Sequence, residues 1–161
     1  MIAMESFFPI LFCLLVVSFP GIDARAQNKS KLIGKIQNSK LVEGCGCEFQ
    51  STSREGHRNG PYVLLSDLQE TAWVNINGRD TKLKLVKTIQ RPRNEKRVDR
   101  KGDKTVEEYE GGGVRATISR TVTRPCPAND ESCEYVGMVG IIRVSIGSRK
   151  QQIKIVGGCG C

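Results

Sequence analysis

Cys45-Gly46-Cys47 and Cys159-Gly160-Cys161 decide how this chain is read. In an extended strand, residues two apart point to the same face. Each tripeptide therefore offers two thiols on one side, ready to meet two from a neighbouring strand. We read the pair as a covalent clasp joining the first strand of the fold to the last. Antiparallel neighbours favour Cys45–Cys161 with Cys47–Cys159, and the crossed arrangement stays open because four thiols allow more than one pairing. Cys126 and Cys133 enclose Pro-Ala-Asn-Asp-Glu-Ser, a loop that a third bridge would close. On the chain-entropy model that short loop is worth roughly 2.5 kcal/mol and the long loop closed by the clasp about 5 kcal/mol. The second bridge of the clasp adds little, since the loop is already closed.

Disulfides require an oxidising compartment, and the N-terminus points to one. Residues 7–19 form an apolar run of thirteen, followed by Pro20-Gly21 and the small-x-small site Ala24-Arg25-Ala26. That is the layout of a signal peptide over residues 1–26. The run falls short of the ~18–20 residues that span a bilayer, so cleavage and no stable membrane insertion are expected. The mature chain would keep six cysteines and 24 basic against 15 acidic residues, a net +9. Residues 27–42 are basic with little apolar content and read as a flexible lead-in. Residues 43–161 read as one domain.

Within that domain β-like runs alternate with turn chemistry, and no segment carries a helical period. Eight strands are expected, at about 43–50, 62–66, 70–77, 80–88, 105–110, 114–123, 134–146 and 149–157. The architecture this predicts is all-β: a small antiparallel eight-stranded barrel, or a barrel-like sandwich, with its first and last strands adjacent and disulfide-linked. Asn77-Gly78 suits a type I′ turn, which sets Ile76 opposite Arg79, Val74 opposite Thr81 and Ala72 opposite Leu83. One register then sorts the aliphatic residues to one face. Trp73 meets Lys82 on the other face, where a partly exposed tryptophan is the simpler expectation than a cation–π contact. Gly147-Ser148 suits a II′ turn pairing Ile142 with Ile153 and Gly140 with Ile155. Both Cys-Gly-Cys units are expected to face inward, with Phe49 beside Cys47.

Catalytic chemistry finds little to stand on. His57 is the sole histidine, in a turn-like stretch where a solvated side chain is the ordinary outcome. No nucleophile elbow, zinc-protease helix, P-loop or dinucleotide fingerprint occurs. Gly111-Gly112-Gly113 leads into a strand and reads as a hairpin turn. Glu107, Glu108 and Glu110 cluster nearby and are expected to pair with lysines. Twin C-x-C units are a poor match to zinc knuckles, and no C-x-x-C redox motif is present. A non-enzyme without cofactor or metal is the expectation. The functional candidate is a basic segment: residues 82–104 hold ten basic residues against three acidic ones. Arg91, Arg93, Lys96, Arg97, Arg100, Lys101 and Lys104 lie on an almost apolar-free stretch between the fourth and fifth strands. Loops on rigid β scaffolds carry binding function, and this one would attract an anionic surface. A solvated charged loop without a partner is the competing reading. Nucleic acid is not expected, because the segment has no aromatic side chain on which bases could stack.

Two stretches carry a family resemblance. Ala72-Trp73-Val74-Asn75-Ile76-Asn77-Gly78-Arg79-Asp80-Thr81-Lys82-Leu83 resembles the central hairpin of the small periplasmic C-type lysozyme inhibitors. Tyr109-Glu110-Gly111-Gly112-Gly113-Val114-Arg115-Ala116-Thr117-Ile118 is similar to that family's following strand pair. The resemblance implies an eight-stranded antiparallel barrel of the bacterial envelope. The family's inhibitory loop, a Ser-Gly followed shortly by Tyr, would fall between the fourth and fifth strands. Here the basic insertion takes that place, and no Ser-Gly-x-x-Tyr is present. C-type lysozymes are commonly basic, so this cationic chain would meet one against unfavourable electrostatics. The expected function is thus a secreted or periplasmic binding or structural barrel of the envelope, its partner an anionic envelope polymer or another protein. A lysozyme inhibitor of altered specificity and a thiolate metal-binding protein are the alternatives.

Overall fold

The structure is a computed structural model that describes residues 31–52, 61–91, 100–127, 130 and 132–161; the expected leader, His57 and the middle of the basic segment lie outside them. Eight antiparallel strands follow one another around a closed barrel: β1 Gly46–Ser51, β2 Tyr62–Asp67, β3 Thr71–Ile76, β4 Arg79–Gln90, β5 Lys104–Gly111, β6 Val114–Arg124, β7 Tyr135–Ile146 and β8 Arg149–Gly160. The fold expected from the alternation of strands and turns is the one observed. β1 pairs with β8 along its whole length and closes the wall, which leaves no free sheet edge among these strands.

Turn chemistry sets the registers. Asn77 and Gly78 both take positive φ, 50° and 86°, as a type I′ turn demands, and β3 pairs with β4 in the expected register. Lys82 Nζ lies 5.7 Å from the centre of the Trp73 ring, so the partly exposed tryptophan does carry a cation–π contact. Gly147 is also at positive φ, and Ile142–Ile153 and Gly140–Ile155 pair as expected. Inward residues of every strand make one core, with Phe49, Leu64, Val74, Leu83, Ile118, Ile142 and Ile155 essentially sealed from solvent. Outward positions include Lys82, Lys84, Glu110, Arg115, Arg143 and Lys154, all exposed. A charged exterior around an apolar interior is the inverse of a barrel that faces lipid.

The lead-in departs from expectation. From residue 31 it is a strap docked on the barrel, and Leu32, Ile33 and Ile36 are buried. β2 and β3 share only three registered pairs, 64–66 with 72–74, so the far end of β3 lacks a neighbour. The strap supplies one: Gly34 N donates to Asn75 O, Asn77 N donates to Leu32 O, and Ile33 bridges Ile76. The carboxamide oxygen of Gln151, reaching from β8, accepts from the backbone of both Leu32 and Ile33 at 2.7 and 2.8 Å. The strap then reaches β2, where Ile36 N donates to Tyr62 O at 2.8 Å, and Leu65 of β2 is buried despite its outward register. Val42 meanwhile lies against Gly46. Backbone satisfaction and an apolar plug outweigh the four lysines that made this segment look unstructured. Ile33→Ala should therefore cost about 3 kcal/mol, as a core truncation does. Urea unfolding midpoints check this, and an unchanged midpoint would mean the strap is not part of the fold.

Candidate functional site

The clasp lies at one end of the barrel. Both expected pairings are present, Cys45–Cys161 and Cys47–Cys159, and Cys126–Cys133 forms the third bridge. Cys47 and Cys159 are a registered pair of β1 and β8. The two clasp bridges have different surroundings. Cys47 is buried in the core and Cys159 packs against it, as expected of inward residues. Cys45 and Cys161 are exposed, because the strands end there and the bridge ties the rim.

At this end a cavity of about 350 Å³ opens into the barrel, lined in part by Cys47, Cys159, Met138 and Tyr109. Its polar centre is an ion pair between Glu107 of β5 and Arg120 of β6, only 14% and 12% exposed. The Tyr109 hydroxyl donates to the same Glu107 oxygen at 2.9 Å. Arg120 also directs Nη1 to Cys47 Sγ at 3.5 Å. Burial pushes the Tyr109 phenol far above its ordinary range; Arg120 opposes this and Glu107 adds to it. Asp67, at the rim, is held below the usual carboxylate range. Burial works the other way there and is outweighed by hydrogen bonds from Thr71, Gln69 and Glu70.

Alternation along the strands makes this arrangement. Glu107 and Tyr109 share the inward face of β5, and Arg120 sits between Ile118 and Val122 on the inward face of β6. The pair was legible as a charged residue at an apolar phase, yet the glutamate cluster was expected to pair with lysines. Both of its observed partners are arginines: Arg120 with Glu107, and Arg115 with Glu110 at 2.6 Å.

The basic connection joins β4 to β5 at this same end. Arg93, Lys96 and Arg97 lie outside the described residues, whereas Arg91, Arg100, Lys101 and Lys104 are placed and exposed. The downstream root is fixed. Asp103 accepts from Arg100 N at 2.8 Å, Gly102 N donates to Val122 O, and Val122 N donates to Asp103 O. Arg100, Lys101 and Lys104 therefore project from a root that is tied to β6 and, through the wall, to the clasp. Among the described residues no group of three or more His, Cys, Asp or Glu is arranged to hold a metal ion, and no helix is long and apolar enough to cross a membrane. Compared with family models, curated proteins and solved structures, the chain finds no match.

Proposed function

We propose that the chain is an exported, non-enzymatic binding barrel of the cell envelope that offers its β4–β5 connection to an anionic envelope polymer. The supporting observation is the rooted rim: Arg100, Lys101 and Lys104 stand exposed on a turn fixed to β6, at the clasped end of a closed barrel. Fixing the root lowers the entropy that several cations lose when they engage one polyanion. Three disulfides suit an oxidising compartment. They also leave none of the six mature cysteines as thiolate, which takes away the ligands of the metal-binding alternative.

Retention on lipopolysaccharide and on acidic cell-wall polymer, measured across a salt series, tests the reading. Replacing Arg91, Arg93, Lys96, Arg97, Arg100, Lys101 and Lys104 by Gln should abolish the salt-sensitive fraction, since charges beyond about 8 Å are screened at physiological ionic strength. Retention unchanged in that variant rules the connection out. The second reading, a lysozyme inhibitor of altered specificity, draws support from the eight-stranded antiparallel barrel that the resemblance implies. A muralytic assay decides it, and failure to inhibit any lysozyme removes it.

A further inference from the structure

The outer faces of β1, β7 and β8 meet in a second cleft, of about 240 Å³, independent of the basic connection. One row of registered residues crosses it: Glu48 on β1 pairs with Gly158 on β8, Gly158 with Gly137 on β7, and Gly137 with Arg124 on β6. The backbones of Glu48 and Arg124 thus flank a two-glycine trough, roughly 14 Å apart at three strand spacings. The Arg124 side chain folds back over the trough, its Nε 3.6 Å from where a Cβ on Gly137 would sit, which brings the guanidinium toward the carboxylate.

The glycines are needed for what lies over them. A Cβ at Gly158 would sit 2.6 Å from Tyr135 Cζ, and one at Gly137 would sit 3.2 Å from Arg124 Cβ. The bare backbone lets the Tyr135 ring lie down on the sheet, with 42% of the residue still exposed. Tyr62 borders the trough from β2. Its hydrogen bond to Glu48 pushes the phenol up to about 12, so the phenol stays neutral and orients the carboxylate. Thr123 is already engaged, donating to Gly137 O at 3.1 Å.

Charge and shape together select the ligand class. A cation is drawn to Glu48 but opposed by Arg124, and an anion meets the reverse. A neutral ligand with hydroxyls that both donate and accept satisfies the two ends at once. An apolar face on such a ligand matches an exposed aromatic ring over a flat floor. A pyranose unit has all three properties. We infer that this trough is a saccharide site, with the sugar's C–H face on Tyr135 and its hydroxyls shared between Glu48 and Arg124.

The test is a nitrogen-15 NMR titration of the mature chain with cellotetraose, chitotetraose and maltotetraose. At least one sugar should shift the amide signals of Gly137, Gly157, Gly158 and Tyr135, and added salt should leave the binding unchanged. Tyr135→Ala should weaken it roughly tenfold while Tyr135→Phe retains it, as loss of a stacking ring but not of a hydroxyl predicts. Signals of Ile142 and Ile153 report that each variant is folded, and Arg124→Met supplies a second loss of affinity should Tyr135→Ala fail to fold. The site is overturned if none of the three sugars shifts these signals. It is equally overturned if Tyr135→Ala binds as tightly as the parent, or if tetramethylammonium or acetate moves the signals and the sugars do not. Neutralising the β4–β5 cations should leave the titration unaltered, which separates this outcome from that of the polyanion assay.

Discussion

Replacing all four clasp cysteines by serine should lower the unfolding free energy by about 5 kcal/mol, whereas removing either bridge alone should cost about 2 kcal/mol or less. The asymmetry follows from topology. Cys45–Cys161 and Cys47–Cys159 close nearly the same loop, with sequence separations of 116 and 112. Either one restricts the unfolded chain almost as much as both. Domains of this size are stable by about 5–15 kcal/mol, so the four-cysteine variant should be marginal or unfolded at ordinary temperature. Urea unfolding of the parent, the two single-bridge variants and the four-cysteine variant measures this directly. Additive losses would show that the bridges act through native contacts and not through the shared loop.

Arg120→Met or Glu107→Leu should each destabilise by about 3 kcal/mol, because each strands a largely buried group in the barrel mouth. Arg120→Met leaves the Glu107 side chain with the Tyr109 hydroxyl as its partner. The combined Arg120→Met and Glu107→Leu variant should recover most of the loss, since paired apolar replacements remove both desolvation costs. A double variant as unstable as the two singles summed would mean that the groups are not coupled. Restored stability would also separate structure from function at the mouth, because a barrel with an apolar mouth can be assayed for ligand binding.

Local turn chemistry and strand alternation made the barrel readable. Asn77-Gly78 fixed β3 against β4, Gly147-Ser148 fixed β7 against β8, and the cysteine spacing tied the last strand to the first. What escaped depends on residues far apart in sequence. Leu32 and Ile33 gain their backbone partner from Gln151, more than a hundred positions away, so four nearby lysines dominated their local appearance. The apolar triple Leu32, Ile33 and Ile36 was the available signal. Arg120 was likewise visible as an intruder in the inward phase of β6, but its partner is set by the β5–β6 register. The glycine trough could not be seen at all without the order of strands, because Glu48, Gly158, Gly137 and Arg124 lie on four of them.

Trypsin digestion of the unreduced mature protein, followed by mass spectrometry, examines the closure of this molecule most simply. Closure of β1 onto β8 predicts that peptide 41–54 and peptide 155–161 travel together, four hydrogens lighter than their sum, and separate only on reduction. Recovery of the two peptides apart, each with its own internal bridge or with free thiols, would contradict it.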